Sequence, residues 1–99
     1  MNVVVKPYLF LRQMLNFKEN VVELKTGATV YDLLEIMRSQ KGLTDQIITA
    51  HGKLPLFENG QPIGMTILVD GRNIKQSRGT ATILKEGAVI SLFPPAAGG

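Results

Sequence analysis

The chain has 99 residues, no cysteine, one histidine (His51), and a formal net charge of +3 from 11 Lys+Arg against 8 Asp+Glu. That length accommodates one domain. The missing thiols exclude a disulfide scaffold, iron–sulfur ligation, thiolate zinc and a cysteine nucleophile, and a single histidine excludes a multi-histidine metal site.

Hydrophobic residues make up 44% of the chain, enough to bury a real core. The opening Met1-Asn2-Val3-Val4-Val5-Lys6 lacks the basic leader and apolar run of a signal peptide. No stretch approaches the roughly 20 apolar residues of a membrane span, so a cytoplasmic location and no membrane partner are expected. The densest basic group is Arg72, Lys75 and Arg78, with Asp70 close by. With aromatics at only 6%, that group reads as a solvated loop, and no nucleic-acid partner is expected.

In chain order, Asn2 to Lys6 is β-branched and apolar and predicts a first strand, which Pro7 ends by removing a backbone donor. Tyr8 to Phe17 is mixed and reads as a turn with irregular structure. Asn20 to Thr26 alternates, with Val22 and Leu24 on one face, and predicts a half-buried strand that Gly27 breaks. Thr29 has the character of a helix N-cap, and Asp32 suits the positive first turn. Val30, Leu33, Leu34 and Met37 then form one apolar stripe. Arg38 and Lys41 suit the far end of this helix, and Gly42 reads as its C-cap. Leu43 to Ala50 suggests a short helical turn carrying Ile47 and Ile48, and His51 to Gly64 a loop packing back through Leu54, Leu56 and Phe57.

Met65 to Val69 predicts a strand, Asp70-Gly71 a turn, and Arg72 to Ile74 a short return strand. Thr80 to Leu84 reads as another short piece, and Lys85-Glu86-Gly87 as a tight turn. Ala88 to Phe93 is the last strand, with Ala88, Ile90 and Leu92 on one face and Val89, Ser91 and Phe93 on the other. Pro94 and Pro95 stop it. One helix on one side of a small mixed sheet is an α+β architecture. With the first two strands paired and the last strand returning to the first, it is the β-grasp arrangement. The expected division is a β-grasp domain over 1–93 and an extended tail over 94–99.

No phosphate-binding, zinc-protease or nucleophile-elbow motif is present. Ser39, Ser77 or Ser91 can be combined with His51 only as any soluble protein would allow, and His51 beside Gly52 reads as an exposed turn residue. Asp32 and Glu35 share a helix face but read equally as solvated surface, and Met14, Met37 and Met65 as core filler. No autonomous catalysis is expected.

The informative feature is the ending, Phe93-Pro94-Pro95-Ala96-Ala97-Gly98-Gly99. Two prolines favour an extended, stiff exit, and six extended residues reach roughly 20 Å. Ala and Gly make the tip thin enough to thread a narrow channel. A carboxylate with an ordinary pKa of about 3.5 is ionised and a poor electrophile at neutral pH. Joined to AMP from ATP it becomes a mixed anhydride, whose carbonyl a terminal glycine leaves unshielded. The alternative is a frayed end of no consequence.

This tail, preceded by Leu84-Lys85-Glu86-Gly87-Ala88-Val89-Ile90-Ser91-Leu92, resembles that of the MoaD/ThiS sulfur carriers, nearest the branch that forms the small subunit of molybdopterin synthase. The first strand with Leu11-Arg12 and the helix opening Gly27-Ala28-Thr29-Val30 extend the resemblance. It implies a ubiquitin-like β-grasp fold. It also implies that Gly99 is adenylated by a ubiquitin-activating-type enzyme, which consumes the ATP, and is converted to a thiocarboxylate. No cofactor or metal is expected on the chain itself. In the molybdenum-cofactor branch the sulfur passes to a pterin precursor in a complex with a large catalytic subunit. Gly98 takes the family's second tail position, and Pro94, Pro95, Ala96 and Ala97 join the partner-binding tail. Tyr8 and Phe93 fall where the family has apolar residues facing partners.

The stretch from Thr44 to Gly64 is longer than the family's compact pattern, as in carriers that feed cysteine synthesis. Further readings are a carrier for thiamine synthesis, a modifier that forms isopeptides with protein lysines, and a plain binding module using Arg72, Lys75 and Arg78.

Overall fold

The computed structural model describes residues 1–95 of the chain. Strand β1 spans Asn2–Pro7, helix α1 Phe10–Leu15, β2 Asn20–Glu23 and helix α2 Val30–Gln40. Two small hairpins follow, β3 (Gln46–Thr49) with β4 (Gly52–Pro55) and β5 (Phe57–Glu58) with β6 (Gln61–Pro62). Strands β7 (Thr66–Val69) and β8 (Arg72–Asn73), two 3-10 turns and β9 (Val89–Phe93) complete the order.

The main sheet has five strands in the order β2-β1-β9-β7-β8. The two terminal strands therefore sit together, with β1 parallel to β9 in the register Val4↔Val89 to Pro7↔Leu92. Both flanking pairs, β1 with β2 and β9 with β7, are antiparallel. Alternation along the strands turns Val3, Val5, Val22, Ile67, Ile90 and Leu92 inward. They meet Val30, Leu33, Leu34 and Met37 of α2, all of which are buried. This is the ubiquitin-like β-grasp.

Helix α2 starts where the capping chemistry requires. The Asp32 amide donates to Thr29 Oγ1 at 3.3 Å, and the Thr29 amide donates to Asp32 Oδ2 at 2.9 Å, a reciprocal capping box. Gly42 stands just past the helix with φ +90, and the Leu43 amide returns to the Met37 carbonyl at 3.1 Å. The Asp70-Gly71 turn has positive φ at both residues, the two-residue geometry that joins twisted strands.

Four expectations are corrected. Tyr8 to Phe17 is not irregular: Phe10–Leu15 forms α1, which buries Leu11 and Leu15. Leu43 to Ala50 holds no helical turn, and His51 to Gly64 is not simply a loop. Ile47 and Ile48 are β-branched and belong to β3, which pairs Ile47 with Leu54 and Ile48 with Lys53. The predicted return strand over Arg72 to Ile74 stops at Asn73, whose side chain accepts from the Lys75 amide and starts a 3-10 turn.

Pro7 is the last residue of β1, as expected, and it disturbs nothing. The amides of Val4 and Tyr8 donate to the carbonyls of Ala88, just before β9, and Leu92 on it, so the odd-numbered amides of β1 face β2. The β1–β2 ladder ends at Val5↔Asn20, and no partner there awaits an amide at position 7.

Candidate functional site

The strand rules that bury Leu92 turn Phe93 to the opposite face of the sheet. Tyr8, the residue after β1, is drawn alongside it by its amide, which donates to the Leu92 carbonyl at 3.0 Å. The two rings stack with centroids 4.4 Å apart and planes 7° from parallel. The sequence-predicted pair Tyr8 and Phe93 is thus one half-exposed aromatic platform at the root of the tail.

Two neighbours complete the platform that sequence reasoning missed. Arg12 lies with its guanidinium carbon 5.5 Å from the centre of the Tyr8 ring, and its Nε donates to the Pro7 carbonyl at 3.3 Å. Leu9 is 73% exposed and holds a positive φ of 54, a strained conformation for a leucine. The available signal was the apolar run Leu9-Phe10-Leu11, which exceeds what a short helix can bury on one face.

The exit of the chain is also fixed. Pro94 is buried and Pro95 half-buried. Pro95 rests on Gly64, whose backbone has φ +72. A Cβ built on Gly64 would stand 3.1 Å from Pro95 Cγ and 3.2 Å from its Cβ, so a side chain here would crowd the proline from a backbone conformation that favours glycine. Ala96, Ala97, Gly98 and Gly99, which carry the tail chemistry expected from sequence, lie outside the described residues.

The two hairpins of the longer 44–64 stretch are anchored at their base. Arg38 donates to Asp45 Oδ1 through Nε at 2.9 Å and Nη2 at 2.5 Å, and to Glu35 Oε1 through Nη1 at 2.6 Å. The hydrogen bond that Arg38 donates to Asp45, ahead of the contribution from Glu35, raises the Arg38 pKa above its ordinary value despite partial desolvation. The same guanidinium covers the Phe57 ring at 4.6 Å. Beyond that base, β3 and β4 pair with each other, and Ile48 is 82% exposed.

The remaining candidates form no constellation. His51 is exposed in the β3–β4 turn. Arg72, Lys75 and Arg78 are exposed, with Arg72 donating to the Gln76 carbonyl, while Asp70 instead accepts the Val89 amide. Among the described residues no group of three potential metal ligands gathers, and no helix is long and apolar enough to cross a membrane. What the described residues offer is a shaped surface around the exit of the chain.

Comparison places this architecture. A solution structure of the Haloferax volcanii protein HVO 2177 superposes with a TM-score of 0.80 at 28% identity, covering 100% of this chain and 87% of that one. SAMP1 from Haloferax volcanii gives a TM-score of 0.77 at 19% identity, with both chains covered in full. A Pyrococcus furiosus chain described as molybdopterin converting factor subunit 1 gives 0.68 at 24% identity, covering 97% of this chain and 99% of that one. These are proteins of the ubiquitin-like β-grasp class. A model of the ThiS family matches residues 9–99, and the chain belongs to that family of ubiquitin-like sulfur carriers and modifiers. No curated protein matches it in sequence.

Proposed function

We propose that this protein is a sulfur carrier whose Gly99 carboxyl is the reactive group. The carboxylate attacks the α-phosphate of ATP on an activating enzyme of the ubiquitin-activating type, forming the acyl-adenylate and releasing pyrophosphate. Hydrosulfide, or a donor that delivers its equivalent, attacks the carbonyl and displaces AMP, leaving the thiocarboxylate. Apart from the Gly99 carboxylate, this sequence of steps asks for no side-chain acid, base or nucleophile from the carrier. The observation that carries this reading is the side-chain-poor Ala96-Ala97-Gly98-Gly99 sequence following a Pro95 exit beside the Tyr8–Phe93 platform, on a ThiS-family chain.

The acceptor we infer is a pterin precursor held by a large catalytic subunit, which makes this chain the small subunit of a cytoplasmic molybdopterin synthase. The Phe93-Pro94-Pro95 tail supports it, as does the fold shared with the Pyrococcus furiosus protein. The thiocarboxylate sulfur bonds to a pterin carbon and displaces the oxygen group that carbon carries; water then cleaves the acyl–sulfur bond, which leaves the sulfur on the pterin as a thiol and returns Gly99 to the carboxylate. A second reading draws on the fold shared with SAMP1, a small archaeal modifier protein: the same adenylate is captured by a lysine amine to give an isopeptide.

Intact-mass spectrometry after incubation with the activating enzyme, ATP and a sulfur source tests the first step. The expected result is a mass gain of one sulfur-for-oxygen exchange, absent when Gly99 is deleted. An unchanged mass in the full chain rejects the carrier reading. Lysine conjugates in extract, without sulfur delivery to a pterin, select the modifier reading.

A further inference from the structure

Every positive-φ position among the described residues is held by a residue suited to it, with one exception. Glycines hold most of them, and Asn16, Asn59 and Asp70 hold the others save Leu9. Leu9 is the first central residue of a tight turn, which the Leu11 amide closes on the Tyr8 carbonyl at 3.1 Å. Its φ of 54 and ψ of -135 are those of a type II′ turn, a position made for glycine and strained for any residue with a Cβ. The core gains nothing in return. Leu9 is 73% exposed, while Leu11 is fully buried and Phe10 packs against the core. The leucine therefore opposes the fold twice, through its backbone and through the apolar surface it leaves in water.

Its surroundings point to a use outside the chain. The Tyr8 amide ties this turn to the Leu92 carbonyl, so Leu9 stands at the end of the sheet from which the chain leaves, beside the Tyr8–Phe93 platform. Arg12 holds its guanidinium over Tyr8 and has no carboxylate partner among the described residues, whereas Arg38 is paired with both Glu35 and Asp45. We propose that Leu9 is an apolar anchor for the enzyme that takes up the tail, seated in an apolar pocket that carries a carboxylate at its rim for Arg12. The proposal rests on the carrier reading for the identity of the partner, and on the strained turn for the choice of residue.

The test measures the melting temperature and the activating enzyme's KM for the full chain, for Leu9→Ala and for Leu9→Gly. Leu9→Ala keeps the Cβ and its strain, and should melt as the wild type does. Leu9→Gly relieves the strain and should melt about 5 °C higher. Both should raise KM about tenfold with kcat unchanged, the mark of lost binding that substrate and transition state share. Arg12→Gln should raise KM about threefold at low salt and leave it unaltered at high salt. A wild-type KM in both Leu9 variants overturns the anchor. So does a lower melting temperature for Leu9→Ala, which would mean that the side chain serves the fold. Leu9→Gly no more stable than Leu9→Ala overturns the strain on which the choice of residue rests. An unaltered KM for Arg12→Gln at low salt overturns the carboxylate rim. A wild-type dimer that Leu9→Ala abolishes without changing KM seats a second copy on Leu9 and overturns the proposal. A wild-type chain that is never adenylated defeats the carrier reading and the anchor with it, whereas adenylation at one KM in all the chains defeats the anchor alone.

Discussion

The ring of Phe93 lies flat on that of Tyr8, 4.4 Å away, which ties the last strand residue before the tail to the first residue after β1. The contact is half-exposed, so each ring is partly packed on its neighbour and partly open to solvent. Phe93→Ala and Tyr8→Ala are each expected to weaken binding to the activating enzyme by about 2 kcal/mol, the usual cost of losing an aromatic anchor. A double-mutant cycle on unfolding should return a coupling of about 1 kcal/mol for the stacked pair. Isothermal titration and chemical denaturation measure the two effects. Binding unchanged in both single variants would remove the platform from the interface.

Gly99→Ala should leave the melting temperature unchanged while sulfur transfer falls. The added methyl crowds the attacked carbonyl, whereas a terminal surface residue contributes within about 0.5 kcal/mol of stability. Single-turnover thiocarboxylate formation, read by mass, checks it. Wild-type turnover in that variant would contradict a narrow passage for the terminus.

Gly64→Ala is expected to destabilise the protein by about 1–2 kcal/mol. The alanine would have to hold φ +72 and place its methyl 3.1 Å from Pro95 Cγ. Denaturant midpoints of the variant and of Gly71→Ala separate the two causes, because Gly71 has a similar φ of 84 with nothing within 4 Å. Gly64→Ala should cost more than Gly71→Ala.

Arg38→Ala should loosen the two hairpins before the rest of the fold. It removes the hydrogen bonds to Asp45 and Glu35 and the cover over Phe57. The ion pairs are partly exposed, so the global loss is expected to be about 1 kcal/mol. Limited proteolysis should cut first between residues 44 and 56, and cleavage there at the wild-type rate would refute the anchoring role.

The parts of the fold legible in sequence were those with one dominant period. The stripe from Val30 to Met37, the Thr29–Asp32 cap and the alternation of Ala88 to Phe93 each fit one structure, and each formed. The alternation also placed Phe93 off the core face. Segments with conflicting signals were misread. Helix α1 is six residues long, too short to display a period, and its entry depends on the positive φ of Leu9. Ile47 and Ile48 lie in a ribbon whose partner, Lys53-Leu54, has no strong strand signature of its own. The contact of Gly64 with Pro95 joins positions 31 apart, and only the β7–β9 register brings them together. Arg12 over Tyr8 escaped for the related reason that an arginine in a mixed segment carries no mark of what it covers.

The parallel placement of β1 beside β9 has a mechanical consequence. A pull on the chain beyond Phe93, directed along β9, acts between two neighbours paired with it at four positions each. Such a load is shared as shear by the rungs on both sides at once, where a tail rooted in an edge strand would load the rungs of one side only. The domain can therefore be tugged hard by its end and stay folded.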